Sequence, residues 1–483
     1  MKIKNIILIA LTGILLSLVT SCTKDFEEIN TSPNTAPEAS PGFLLANVQK
    51  GFMDDYWGEW WNGRFGLLYA QYWAQNEYTD ESRYKIRQNN SNTYWTIYYG
   101  YLNDLEEIIR INEEDPGYAA DNAGPNNNQI AVAEIMKVYI FHMMTDVWGY
   151  IPYKQALNVD EYTSPAFTST QDVYSSLISK LQTARDNITT GAGSSISGDI
   201  IYDGDMAKWE KFANSLIMRI GIRMSETSDY QASTITDAFN HTAGAITTVA
   251  DNALLRYQGS SPNNNPMNEA YKTRSDFSVT DRFVHLLDSL NDPRLSIYAA
   301  PINEDMDTII GMPYGLNQTN ATAISKDSVS LPGSAILSPT APGIFMESSE
   351  VHFIMSEVNG WDQTYYEQGV RQSMTFWGVP EAEINDYINN ELDPANEQSV
   401  LTQKYIALYM QGLQAWSQYR RTGIPDLQAP EDGAMITMST TIPTRRTYPS
   451  DEYNLNGDNL QDAIDKMGPD AMDTPLWWDD LAK

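Results

Sequence analysis

Several aromatic and amide side chains fall in polar stretches of the sequence, outside the stretches with helical periodicity. Those placed to contact a ligand are Tyr78, Tyr84, Asn263, Asn264, Tyr271 and Phe277. Flat aromatic rings can cover the C–H faces of a sugar, while amides exchange hydrogen bonds with its hydroxyls. This combination predicts a loop-borne site for a neutral, hydroxylated ligand, whereas an acidic ligand would need local cations such as Lys272 and Arg274. The competing interpretation is that each tyrosine only packs its own loop.

Catalytic motifs are absent from the sequence. It contains no GxSxG, HExxH, GxxxxGK or GxGxxG pattern, and its four histidines lack the spacing of metal ligands. One of them, His142, is expected in the core. The 63 acidic residues could supply the two carboxylates of a glycosidase, but that count fits too many proteins to indicate one. We therefore expect no enzyme, no metal and no cofactor, with a surface glycoside hydrolase as the less favoured alternative.

Tryptophans and arginines at short spacing have mainly structural interpretations. Trp57, Trp60 and Trp61 are spaced i, i+3 and i+4, which predicts a stripe facing the core, with an exposed stacking surface as the alternative. The pairs at 420–421 and 445–446 are arginines, and we expect them to bind carboxylates inside the fold. The tryptophan pair at 477–478 is expected to dock the C-terminal segment.

Composition narrows the class of protein. Hydrophobic residues make up 42% of the 483 residues, which is enough for a sizeable core. Acids outnumber Lys and Arg by 63 to 31, and the net charge of -32 repels phosphate backbones. One cysteine cannot support a disulfide framework or a cysteine-built zinc finger. These features exclude a nucleic-acid-binding protein and a disulfide-rich scaffold.

The single cysteine, Cys22, follows a short apolar run that begins after two lysines. The run from Ile6 to Val19 has the length of a secretory signal and is shorter than the roughly 20 residues of a membrane span. A cysteine at this place resembles the lipobox of bacterial lipoproteins, in which it is acylated and becomes the new N-terminus. We therefore expect a lipoprotein signal peptide over residues 1–21, a lipidated N-terminus with a flexible tether over 22–42, and one domain over 43–483. An ordinary signal with a chance cysteine is the alternative.

Helical periodicity dominates the rest of the chain. Apolar residues recur on one helical face, as in Val132, Ile135 and Met136, and Ser169 is placed to cap a helix start. Other helices are predicted near residues 43–55, 60–76, 93–112, 170–188, 280–290 and 362–377. Long polar loops are predicted over residues 113–128, 189–206, 257–279, 302–343 and 427–460. Because alternating strand patterns are few, the sequence predicts an all-α scaffold that carries an extensive loop region.

Eight short stretches appear in a fixed order: FEEINTSPN (26–34), DVWGYIPY (146–153), WEKFANSL (209–216), NDPRL (291–295), QKY (403–405), YRRTGIP (419–425), IPTR (442–445) and WWD (477–479). Together with the cysteine they resemble the SusD/RagB family of nutrient-binding outer-membrane lipoproteins. Trp148 and Tyr150 depart from the family's pattern in the second stretch.

The resemblance implies an all-α fold of tetratricopeptide-like helix pairs packed against a loop-rich ligand-binding region. It also implies that the protein binds oligo- or polysaccharides outside the cell, tethered to the outer membrane by lipid. The expected partner is a SusC-like TonB-dependent β-barrel, to which the glycan is delivered. Some relatives deliver peptides, so a peptide ligand for the same architecture is the alternative.

Overall fold

Helices make up most of the structure, a computed structural model that describes residues 39–303, 307–430 and 441–479. Nineteen α-helices lie in these ranges: α1 (Pro41–Trp57), α2 (Leu67–Tyr69), α3 (Gln88–Glu114), α4 (Pro116–Ala123), α5 (Asn126–Trp148), α6 (Thr170–Asn187), α7 (Met206–Arg223), α8 (Ala232–Phe239), α9 (Pro266–Tyr271), α10 (Asp281–Ser289), α11 (Leu295–Tyr298), α12 (Gln318–Ala323), α13 (Ser348–Val358), α14 (Gln363–Phe376), α15 (Glu381–Asp386), α16 (Glu397–Ala407), α17 (Gly412–Thr422), α18 (Ser450–Leu455) and α19 (Gly457–Met467). The predicted all-α class is confirmed. Cys22 and the predicted signal peptide lie outside the described residues.

Six short strands accompany the helices: β1 (Trp73–Gln75), β2 (Ile151–Pro152), β3 (Phe167–Thr168), β4 (Ala253–Leu255), β5 (Phe277–Val279) and β6 (Gly343–Met346). They form three two-stranded sheets, β1 with β5, β2 with β3 and β4 with β6. The described residues from Pro41 onward belong to one compact unit.

Helix α5 lies at the centre of the packing. Its residues from 131 to 148 are buried, apart from the half-buried Glu134. A helix that is buried on all sides needs neighbours on all sides, and α5 packs against α3, α6 and α7. The predicted apolar stripe is therefore confirmed, and burial extends beyond it around the whole helix.

Successive long helices pack against one another along the chain. Helix α3 packs on α5, α5 on α6, α6 on α7, and α13 on α14. Side chains that accept hydrogen bonds from free amides fix several of the helix starts. The hydroxyl of Ser169 accepts from the amide of Asp172 at 3.2 Å, as predicted, and Asp205 accepts from the amide of Ala207 at 3.1 Å. The result is a scaffold of tetratricopeptide-like helix pairs.

Four of the five predicted loops contain short helices, namely α4, α9, α12 and α18. Helix α4 is capped by Asp115, whose carboxylate accepts from the amide of Tyr118 at 3.1 Å, and Asn265 caps α9 at the amide of Met267 at 2.8 Å. A proline follows each cap. Asp, Asn and Pro occur both in turns and at helix starts, so composition alone assigned these segments wrongly.

The helix predicted over residues 60–76 is wrong beyond Tyr69. A π-helical segment, Glu59–Gly66, leads into α2, and the chain then enters β1. A Cβ atom added to Gly412 would lie 2.3 Å from the carbonyl carbon of Gly66, so α17 crosses this segment at close range. The crossing and the pairing of β1 with β5 replace a continuous helix.

Strand β1 pairs antiparallel with β5, so that Gln75 lies opposite Phe277. The pairing continues beyond the strands, because the amide of Asn76 donates to the carbonyl of Asp276 at 2.7 Å. The side-chain amide of Asn76 also donates to the hydroxyl of Ser278 at 3.0 Å, across 202 residues of sequence. These bonds join the segment after the π-helix to the polar stretch at 257–279.

The four arginines near the C-terminus are all buried: Arg420, Arg421, Arg445 and Arg446. Arg421 pairs with Glu357 and Arg445 with Asp470, which confirms the expected carboxylate partners for these two. The other two stack on aromatic rings of the core. One of these rings, the buried Trp478, docks the C-terminal segment as predicted.

Candidate ligand-binding site

Trp60 differs in solvent exposure from the other two tryptophans of the predicted stripe. Trp57 and Trp61 are buried in the core, whereas Trp60 is 47% exposed. The difference follows from the backbone, because Trp57 ends α1 and the other two tryptophans lie on the π-helical segment, so the i, i+3 and i+4 spacing does not place all three on one α-helical face. π-Helical turns are rare and often occur at functional sites. The stripe is therefore core at two positions and a half-exposed aromatic surface at the third.

Tyr78 is the second large ring exposed in this region, at 50%. It lies just after the β1–β5 pairing and has a φ of 56°, a left-handed conformation that is uncommon for a bulky residue. The surrounding turn is fixed from two sides. The amide of Thr79 donates to Gln318 at 3.3 Å, and Lys326 pairs with Glu77 at 3.0 Å.

A buried carboxylate connects the two exposed rings. Arg64 lies over the ring of Trp60 at 4.6 Å and donates to Asp276 at 2.9 Å. Arg274 lies over the ring of Tyr78 at 4.8 Å and pairs with the same carboxylate. Asp276 itself is buried, so it holds two guanidinium groups in place and each guanidinium stacks on one ring. We call these five residues the aromatic patch.

The cations around the aromatic patch are paired with acids. Arg87, 5.7 Å from the ring of Trp60, pairs with Glu81, and Lys85 pairs with Asp80 at 2.9 Å. Lys272 is also paired, with a glutamate one helical turn away. Hydrogen bonding to Asp276 raises the pKa of Arg274 above its ordinary value, in agreement with the pairing of these two groups. Arg64, which shares Asp276 with Arg274, has a second acidic partner in Glu59 at 2.9 Å. The patch therefore offers rings and hydrogen-bond donors whose positive charges are balanced by neighbouring acids.

The six predicted ligand-contacting residues are divided by the structure. Tyr78 belongs to the aromatic patch, and Asn263 is exposed elsewhere, in a turn where its carbonyl accepts from Gln258 at 2.7 Å. Tyr84 and Phe277 are buried and present no face to solvent, so we keep neither as a ligand contact.

The remaining two residues make hydrogen bonds within the stretch at 257–279. Asn264 is buried and donates to Asn268 and Glu269. Tyr271 is half-buried, and its hydroxyl donates to the carbonyl of Phe277 at 3.0 Å. Sequence reasoning found the polar stretch that carries Asp276 and Arg274. It did not assign Trp60 to the site, because the spacing of the stripe favoured the core.

One histidine and the spacing of possible metal ligands bear on acid–base and metal chemistry in the described part of the chain. His142 is buried as predicted, and burial lowers its pKa to about 4, so the ring is neutral at physiological pH. No group of three His, Cys, Asp or Glu side chains suited to a metal ion occurs within residues 39–303, 307–430 and 441–479. Over the same ranges, no helix combines the length and hydropathy of a membrane span.

Comparison with known proteins adds a family and a set of related folds. A family model described as SusD-like, "starch-binding associating with outer membrane", matches residues 33–449. No curated protein matches the chain. Among solved structures, a chitin-binding protein superposes with a TM-score of 0.80 at 24% identity, covering 91% of this chain and 100% of its own. A SusD homologue from Bacteroides uniformis gives 0.78 at 24% identity, covering 92% and 99%.

A third structure is similar over nearly the same extent. It is a chitin-binding SusD homologue from Flavobacterium johnsoniae, with a TM-score of 0.74 at 21% identity, covering 90% of this chain and 98% of its own. At these identities the solved structures establish the fold, and the family model establishes the relationship.

Proposed function

The chain belongs to the SusD-like family, and from that premise we propose that it binds a neutral glycan at the aromatic patch. The family description names binding and not catalysis, in agreement with the expectation that the chain is not an enzyme. Two of the similar structures are of chitin-binding proteins. These names support a carbohydrate as the class of ligand.

The observation that carries the proposal is a pair of half-exposed rings on a rigid frame. Trp60 and Tyr78 are large apolar side chains in water, and each is held by a stacked arginine that Asp276 fixes. Rings held in one place lose little conformational freedom when a sugar stacks on them. Their exposed polar neighbours, Arg87 and Arg274, retain N–H groups for the hydroxyls of the sugar.

Charge supports a neutral sugar. Every cation named around the aromatic patch has an acidic partner, while the chain as a whole carries a net charge of -32. A uronate or sulfate would therefore meet long-range repulsion without an unpaired local cation to offset it. A neutral oligosaccharide meets neither obstacle.

The cellular part of the proposal is a surface lipoprotein that delivers its glycan to a SusC-like TonB-dependent β-barrel. Support comes from the lipobox-like Cys22 and from the family's association with the outer membrane. A lipid-tethered protein cannot carry a solute across a bilayer by itself. A membrane-spanning partner is therefore required for uptake.

Calorimetric titration tests the function. We propose maltoheptaose and chitohexaose as neutral probes and an oligogalacturonide of similar length as the acidic one, followed by analysis of each oligosaccharide for cleavage. We expect saturable binding of at least one neutral probe, weaker or absent binding of the oligogalacturonide, and intact sugars after long incubation. Preference for the oligogalacturonide, or cleavage of any probe, would overturn the proposal. Failure of both neutral probes would also count against it.

A further inference from the structure

A second cleft lies away from the aromatic patch, between α3, the connection from β2 to β3, and α18. Its volume is about 510 Å³, within the range of roughly 300–1,000 Å³ typical of binding pockets. Cross-connections fix its walls. The hydroxyl of Tyr99 donates to the carbonyl of Pro152 at 2.6 Å, and Asn456 donates to the carbonyl of Pro165 at 2.9 Å. The cleft is therefore formed without an occupant.

Gly100 keeps this cleft open. It lies within α3, where glycine is less favourable than alanine, and it lines the cleft. A Cβ atom added to it would meet no heavy atom within 4 Å. No neighbouring group is therefore close enough to exclude a larger side chain at this position. Such a side chain would project into the cleft. Glycine at this position therefore leaves this side of the cleft unfilled.

Two aliphatic side chains that line the cleft are strongly exposed. Val159 and Leu455 are 72% and 77% exposed, although both are large apolar side chains that proteins usually shield from water. Trp95 lines the floor but is buried, so it presents no open ring face of the kind that Trp60 presents. Leu157, at the same rim, has a φ of 67°, which is unusual for a bulky residue. The cleft is also lined by tyrosines and amides, and the two exposed aliphatic side chains add a surface that an apolar side chain can cover.

Glu452 is the only charged residue that lines the cleft. Its carboxylate accepts from the indole N–H of Trp95 at 2.9 Å, and within the described part of the chain it has no basic partner. Burial raises its pKa, as expected for a carboxylate that lacks a cation. An incoming ammonium or guanidinium group would supply the missing partner, and the chain's net charge of -32 would attract it.

We propose that the cleft between α3 and α18 docks a segment of a partner protein in which a lysine or arginine is flanked by apolar residues. The apolar residues cover Val159 and Leu455, and the basic group pairs with Glu452. The volume limits the contact to a few side chains, so the docking is weak and reversible by itself. This site is independent of glycan binding at the aromatic patch.

Methyl-resolved NMR on the chain tests the proposal, with labelled leucine and valine methyls reporting on Leu455 and Val159. The probes are the acetylated and amidated tripeptide Leu-Lys-Phe, its Leu-Glu-Phe counterpart, and chitotriose. We expect the lysine peptide to shift both methyls saturably, with a Kd on the order of millimolar, and the glutamate peptide to leave them unchanged. The substitution Glu452→Gln preserves the shape of the side chain and removes its charge. It should lower the affinity for the lysine peptide roughly fivefold.

Two variants at position 100 form a matched pair. Gly100→Leu should abolish the shifts by filling the cleft, while Gly100→Ala should retain them, and both should melt at or above the temperature of the unmodified chain. Equal binding of the lysine and glutamate peptides, or shifts that survive in Gly100→Leu, would overturn the proposal. Shifts caused by chitotriose and not by the peptides would overturn it as well, as would no shift with the lysine peptide.

Discussion

At the scale of single residues, the arrangement around Trp60 is unusual because a large ring stays half in water while two neighbours at helical spacing are buried. Arg64 and Arg87 lie 4.6 and 5.7 Å from its ring. Cation–π contacts at exposed sites contribute about 0.5–1 kcal/mol each, which is too little to explain why a tryptophan stands there. A ligand that covers the ring explains it better.

Removing the ring of Trp60 should therefore weaken glycan binding while the chain still folds. We expect Trp60→Ala to lower the affinity for the neutral oligosaccharide at least tenfold and to lower the free energy of unfolding by about 1–2 kcal/mol, the sum of its two cation–π contacts. Titration calorimetry and denaturant unfolding measure the two effects. Tyr453→Ala is the matched control, since Tyr453 is equally exposed at 50% but lies outside the aromatic patch. Equal loss of affinity in both variants would contradict the proposal that Trp60 contacts the glycan.

Glu347 gives the fold a pH dependence of its own. It is buried with one carboxylate oxygen unpaired, and burial raises its pKa from 4.5 to about 8. The folded state therefore holds a proton that the unfolded state releases above pH 4.5, so this contribution to stability is complete below that pH and is lost as the pH rises through 8.

The substitution Glu347→Gln removes the loss of stability that accompanies ionisation of this carboxyl group at high pH. Near pH 4 the variant and the unmodified chain should be similarly stable, and at pH 9 the variant should be more stable by about 2 kcal/mol or more. Urea unfolding at several pH values provides the measurement. A stability difference that does not grow between pH 5 and pH 9 would show that Glu347 ionises normally in the folded chain.

At the scale of elements, the strand pairing of β1 with β5 places Tyr78 near Arg274. Asp276 pairs with that arginine and holds it over the ring. Without Asp276, Arg64 keeps Glu59 at 2.9 Å as an acidic partner, but it loses a buried charge-assisted hydrogen bond. Asp276→Asn should therefore destabilise the chain by about 2 kcal/mol and weaken glycan binding, because both stacked arginines lose their common partner. Chemical unfolding measures the first effect. The exposed Asp473 is the control, where Asn should change stability by less than about 0.5 kcal/mol.

The same elements show how far sequence reasoning reaches. Periodicity predicted α5 and α7, and Ser169 predicted a helix start, because these signals are local. The contact between the segment at 60–84 and the stretch at 257–279 depends on hydrogen bonds across 202 residues, which no local pattern encodes. Trp60 lies on a π-helical segment that ends where the backbones of Gly66 and Gly412 approach closely, and no local pattern encodes that approach. Tyr78 and the stretch around Arg274 could thus be proposed from composition, but their assembly with Trp60 could not.

At the scale of the whole molecule, the net charge and the proposed lipid anchor at Cys22 determine how we expect the protein to associate with the membrane. With a net charge of -32, the chain repels anionic lipid, so we propose that acyl groups at Cys22, and not electrostatics, attach it to the membrane. We expect Cys22→Ala to leave the outer-membrane fraction, and Thr23→Ala to remain in it, when cell fractions are separated by sedimentation. Unchanged membrane association of Cys22→Ala would contradict the lipid anchor.

Uptake also requires a partner that spans the membrane. Mild detergent extraction of the lipid-anchored protein should recover a large TonB-dependent β-barrel with it. Repeated isolation of the lipoprotein alone would count against delivery to such a barrel.

A crystal structure with a bound neutral oligosaccharide, maltoheptaose or chitohexaose, tests glycan binding at the aromatic patch most directly. We expect one sugar ring stacked on the indole of Trp60 at a separation of about 4 Å and the chain of the sugar continuing toward Tyr78. An oligosaccharide bound elsewhere, with Trp60 and Tyr78 still in solvent, would contradict it.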